Sequence, residues 1–185
     1  MSDKATKLIT LPVKAPRRPP VQVKLRHINC DQAHAYPPDG SQKDWWGRLG
    51  KALGTSSSAF VNASLEQLQR AARLPSGGIS EMAVNAALAL IEAASPKDEK
   101  EGALAVQMAC THTVAMAILA LIAGGHTTER RVVAFASAAA KLLRAYAMQL
   151  ELLRRLRHGG EQHVVVKHVH VHDGGQAIVG AVTPR

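Results

Sequence analysis

Three histidines alternate with valine near the end of the chain, His168, His170 and His172, and their type and spacing could do chemistry. On an extended strand alternate residues share a face and stand about 6.6 Å apart, so paired imidazoles there can hold zinc or iron, with His168 and His170 as the leading pair. Only Asp173 lies at an offset that could add a carboxylate. One His-x-His from each of several subunits could instead surround an axial ion. The other reading needs no cofactor: these are polar residues on a half-covered β face or at a subunit interface.

No other constellation suggests a reaction. His112 lies in an uncharged stretch, where a core histidine hydrogen-bonded to Thr111, Thr113 or a neighbouring helix is expected. Cys110 falls on a different part of the helix circumference, which separates a nucleophile from its base. Gly124-Gly125 and Gly174-Gly175 read as a helix stop and a turn, not phosphate loops. The expectation is therefore a non-enzymatic protein.

Charge points to a kind of partner. The 185 residues carry 23 Lys and Arg against 14 Asp and Glu, a formal net charge of +9. One share sits in residues 1–43, which include Arg17 and Arg18. A second lies toward the end of the last long helical stretch, at Arg154, Arg155 and Arg157. Cations at a helix C-terminus suit its dipole, yet one sign of charge on a long helix and on an arm also suits a nucleic-acid backbone. DNA is accordingly an expected partner, beside a protein partner and further copies of the chain.

The elements that must position these residues are mostly helical. Hydrophobic residues make up 46% and aromatic residues only 3%, a composition rich in alanine and leucine. Residues 1–43, dense in proline and without a sustained apolar period, predict a basic disordered tail, although the alternation in VQVKLRHI at 21–28 admits a short strand. From 44 the period becomes helical. Trp45, Trp46, Leu49 and Leu53 share a face of a helix that Gly54 ends; a serine run caps the next, with Phe60, Ser64, Leu65, Leu68 and Ala72 inward; Ser80 caps a third, 81–94. Ser95-Pro96-Lys97-Asp98 reads as the start of a helix reaching about 123, with Ser95 as cap. That helix is uncharged from 102 to 125, long enough for a membrane, but Gln107, Thr111, His112 and Thr113 interrupt it, so a helix buried on most sides in a bundle is expected. The last helix, 129 to about 157, carries Val132, Phe135, Ala139, Leu142, Tyr146, Gln149, Leu153 and Leu156 at steps of three and four, a heptad spacing with one polar member.

After Gly159-Gly160 the period changes to two, and 163–172 with 176–182 predict a β-hairpin about Asp173-Gly174-Gly175. Val165, Val169, Val171, Ile178 and Val182 share one face. Both faces are largely apolar and a lone hairpin is marginal in water, so the segment 159–185 is expected to assemble between subunits. The sequence thus predicts a mainly α protein: a helical bundle, 44–158, with two long antiparallel helices and a C-terminal β-hairpin. Two cysteines without a disulfide framework and an N-terminus without an apolar core predict a cytoplasmic protein that does not enter a membrane.

Three pieces carry a resemblance: Ala105-Val106-Gln107-Met108-Ala109 with His112; Leu153-Arg154-Arg155-Leu156-Arg157-His158-Gly159-Gly160; and 164–171 leading into Gly174-Gly175-Gln176-Ala177-Ile178-Val179-Gly180. Over about 95–183 the chain resembles a family of alphaproteobacterial proteins found near mobile or prophage-like elements, for which no activity is established. The resemblance implies a mobile-element context. In that family the position of His168 is usually histidine and those of His170 and His172 vary, which counts against the metal reading. The order of helical body, long helix and terminal β element also looks like phage terminase small subunits, ring-forming DNA-recognition proteins, as an analogy of layout.

Overall fold

The computed structural model describes residues 19–29, 32–75, 77–124 and 128–158. Two short strands, β1 (Lys24–His27) and β2 (Ala33–Tyr36), precede five helices: α1 (Gln42–Leu53), α2 (Ser58–Ala71), α3 (Glu81–Ala94), α4 (Glu99–Ala123) and α5 (Glu129–His158). The fold is mainly helical, as the composition and periods predict. The expected hairpin at 159–185, with Val165, Val169, Val171, Ile178, Val182, His168, His170 and His172, lies outside the described residues, as do Arg17 and Arg18.

Local chemistry explains where the helices begin and end. Ser57 and Ser80 accept hydrogen bonds from the backbone N–H groups of Phe60 and Ala83, capping α2 and α3. Gly54 closes α1 in the left-handed region at φ 67°. The start of α4 differs from the sequence expectation: Asp98 is the cap, accepting from the N–H groups of Lys100 and Glu101. Ser95 instead ends α3, left-handed at φ 48°, its N–H returned to Ile91 and Glu92. One helix's stop and the next helix's start are compressed into four residues, so Ser95 is already spent when α4 begins.

The main core brings together Val21, Val23, Trp45, Leu49, Leu53, Val61, Leu65, Leu68, Val84, Leu88, Ile91, Ala105, Val106 and Ala109. The first half of α4 runs through it, closely enough that a Cβ on Gly102 would strike the Leu53 carbonyl oxygen. Residues 19–29 and 32–40 are folded where a disordered tail through 43 is expected. The alternation at 21–25 turns Val21, Val23 and Leu25 into the core, and side chains replace the missing neighbouring strand. Glu92, Asn85 and Glu81, which share a face of α3, accept from the N–H groups of Val21, Val23 and Leu25 at 2.8, 2.8 and 2.9 Å. From α1, Trp45 Nε1 donates to the Gln22 carbonyl and Arg48 to that of Pro19, both at 2.8 Å. The strap continues into the antiparallel β1–β2 ladder, with Lys24 opposite Tyr36 and His27 opposite Ala33.

The second half of α4 also departs from expectation. Seven of its eight buried residues lie between Glu101 and Ala109; only Ala115 follows. A helix buried on most sides therefore describes its first eleven residues and not the rest. By length and composition α4 is apolar enough to cross a membrane. Its neighbour there is α5, whose buried residues are Ala139, Gln149 and Leu153. Along the pair, Glu101 meets Arg157, Leu104 and Met108 meet Leu153, Thr111 meets Gln149, and His112 lies beside Tyr146.

Candidate interaction surface

Helices α4 and α5 expose what the core would normally cover. Of the twelve exposed large hydrophobic side chains among the described residues, eight belong to this pair: Met116, Leu121, Val133, Leu143, Met148, Leu150, Leu152 and Leu156. Apolar residues exposed singly are ordinary; here eight fall on one pair of neighbouring helices. On α5, Ala134, Ala138, Lys141, Ala145, Met148 and Leu152 recur at steps of four and three, a second helix-packing seam beside the one spent on α4.

Toward the end of α5 this seam lines an open, mostly apolar groove of about 740 Å³, bordered by Gln107 from α4 and by Ala145, Met148, Gln149, Glu151, Leu152 and Arg155. Met148 is 73% exposed and Leu152 49%. Gln149 is the exception, 9% exposed. Its Nε2 donates to Thr111 Oγ1 at 3.3 Å. The Thr111 hydroxyl itself donates to the Gln107 carbonyl at 2.7 Å, so it can only accept from Gln149. The amide orientation is thereby fixed, with Nε2 toward Thr111. Gln149 Oε1 is left as the one buried side-chain nitrogen or oxygen without a hydrogen-bond partner among the described residues. The heptad spacing singles out Gln149 as a polar member of an apolar stripe; the missing donor is a three-dimensional fact that no sequence period carries.

The basic cluster at the end of α5 splits in two. Glu151 accepts from Arg154 Nε at 2.8 Å and Arg155 Nε at 2.9 Å, and these guanidiniums hold its carboxyl down at about 2. Arg154 and Arg155 remain largely exposed. Arg157 turns inward, donating to Glu101 Oε2 from Nη2 at 2.9 Å and to the carbonyls of Ala94 and Ser95. It neutralises a buried carboxylate and satisfies carbonyls left open at the end of α3. Arg157, Lys97 N–H and the resulting charge hold the Glu101 carboxyl below its ordinary range, against the opposing effect of burial. Arg157 is thus engaged as a structural latch. Glu101, whose role depends on a residue 56 positions away, gave no sequence signal beyond its place in the first turn of α4.

Burial raises the Cys110 thiol above its ordinary value, while the His112 ring lies against Tyr146, centroids 5.6 Å apart. The Thr111 and Thr113 hydroxyls donate to backbone carbonyls of Gln107 and Ala109, so they do not donate to His112. Among the described residues no three His, Cys, Asp or Glu side chains gather as a metal site. Set beside protein-family models, curated proteins and solved structures, the chain matches none.

Proposed function

We propose that the protein is a non-catalytic, self-associating binding protein whose long helices assemble with other copies and whose exposed cations engage nucleic acid. The observation that carries self-association is the set of large apolar side chains on α4 and α5 that lie exposed among the described residues. The order of their contacts fits an antiparallel helix pair, and such a pair with apolar seams on its outside is half of a larger bundle. The segment 159–185 follows directly from α5, and its alternating apolar residues suit assembly between the same subunits. Copies of the chain are a better cover than a bilayer, because Arg130, Arg131, Lys141 and Arg144 lie exposed along α5 beside the uncharged helix.

Nucleic acid is the partner that the charge favours. Arg130, Arg131, Lys141, Arg144, Arg154 and Arg155 are exposed on one helix, and repeating that helix around an assembly multiplies the field. Arg17 and Arg18 belong to the same reading from the N-terminal side. The order of helical body, long helix and alternating terminal segment supports reading it, by analogy of layout, as a DNA-recognition protein of a phage or mobile element acting in the cytoplasm. The test is retention of duplex DNA across a salt series. Arg154→Ala with Arg155→Ala is expected to weaken binding about tenfold at low salt and to flatten its salt dependence. Retention that is absent at low salt, or unchanged by salt, would remove nucleic acid from the account. Should DNA fail while self-association holds, a metal-centred oligomer becomes the reading to pursue. Stoichiometric zinc or iron lost on His168→Ala and His170→Ala would support it.

A further inference from the structure

Helix α5 is the longest of the described elements and the least embedded. Of its 30 residues only Ala139, Gln149 and Leu153 are buried, whereas α1, α2 and α3 each bury four or five in 12 to 14. We infer that α5 is a latched arm: it separates from α4 as a unit while the main core stays folded, and the ion pair of Arg157 with Glu101 is the catch that sets how often it does so. The inference concerns the single chain and rests neither on self-association nor on nucleic acid.

Burial is the first ground. The cost of a local opening follows the apolar surface it exposes, and the cluster that joins α5 to the rest is only Leu104, Met108 and Leu153, with Ala94 and Tyr146 against it. No residue of α5 belongs to the main core, which closes around Leu49, Leu53, Leu88 and Ile91. The second ground is a defect within the contact. Gln149 Oε1 is enclosed without a hydrogen-bond partner among the described residues, its amide held with Nε2 on Thr111. A desolvated acceptor without a donor opposes the closed arrangement, and separation of the helices returns it to water.

The third ground is the catch. Arg157 donates to Glu101 Oε2 from Nε at 3.2 Å and from Nη2 at 2.9 Å, and also to the carbonyls of Ala94 and Ser95. One side chain in the last turn of α5 thereby ties the arm to the end of α3 and the start of α4. The two side chains are 26% and 10% exposed, so solvent screens the pair little, and charge-assisted hydrogen bonds are about twice as strong as neutral ones. Release of the catch bares Leu104 and Met108 on α4 and Leu153 on α5, an apolar seam that the latched chain keeps 6–7% exposed.

Native-state hydrogen exchange across a urea series, read by mass spectrometry on the full chain at one fixed concentration, tests this. Amides of α5 are expected to exchange at least about tenfold faster than the slowest amides of α2 and α3, with a shallower urea dependence, because opening the arm exposes less surface than unfolding the whole. Glu101→Gln keeps the shape of the catch and removes its charge; it should speed exchange in α5 about tenfold. Arg157→Met should do at least as much, and adding Glu101→Gln to it should cost less than about threefold more, since the pair is already gone. Asn85→Ala, which loosens residues 19–25 from α3, should speed the slowest amides of α2 and α3 about tenfold or more and leave α5 unchanged. Gln149→Leu removes the enclosed acceptor and should slow exchange in α5.

If Asn85→Ala speeds α5 as much as α2 and α3, α5 is exposed only when the whole chain unfolds and there is no arm. If neither Glu101→Gln nor Arg157→Met alters α5, the arm has another catch. Faster exchange of α5 in Gln149→Leu would contradict the penalty assigned to its oxygen.

Discussion

Single residues decide how the ends of the helices hold together. Glu101 and Arg157 are far apart in sequence, and each looks by itself like one more charge at a helix end. Together they join the start of α4, the end of α3 and the last turn of α5. The Glu101 carboxyl titrates below its ordinary value of 4.5 because Arg157 stabilises the anion. A carboxyl depressed on folding contributes stability that is complete above the unfolded value and lost as pH falls through the folded one. Glu81, held low by the Leu25 N–H and Lys24, acts in the same direction. Thermal unfolding followed from neutral pH downward should therefore show a melting temperature that declines below pH 4.5. Glu101→Gln should melt lower at neutral pH and decline less steeply in acid. A variant curve parallel to the parent's would mean that the latch contributes nothing to stability.

At the scale of elements, the strap at 19–25 and the seam on α5 show what a linear pattern can and cannot convey. The five helices were legible because serine caps, glycine stops and apolar periods agree with the helix ends, as at Ser80 and Gly54. Alternation at 21–28 was equally visible, but the proline density around it favoured a tail. The structure resolves that conflict through Glu81, Asn85 and Glu92, which hold an isolated strand by its backbone and are ordinary polar residues in the α3 sequence. The burial of α4 was misjudged for a related reason: an uncharged helix looks the same whether its cover is its own chain or another. Asn85→Ala, which removes both the acceptor for Val23 N–H and the donor to Val23 O, is expected to destabilise the fold by about 2 kcal/mol in urea unfolding. A loss below about 0.5 kcal/mol would show that core burial of Val21 and Val23 holds the strap unaided.

For the whole molecule the question is what covers α4 and α5. The first core is complete: Leu49, Leu53, Val84, Leu88 and Ile91 are fully enclosed. The second cluster is only Leu104, Met108 and Leu153, with Ala94 and Tyr146 against it. Beyond it the two helices bury little and expose much among the described residues, and Gln149 Oε1 is enclosed without a hydrogen-bond partner there. The proposed assembly among copies would cover the exposed apolar side chains, and the proposed binding of nucleic acid depends on it for its array of cations. Light scattering of the full chain over a dilution series measures this most directly. A mass at an integral multiple of 19.7 kDa, falling only on strong dilution, is the expected result. A constant mass of 19.7 kDa at every concentration would contradict it.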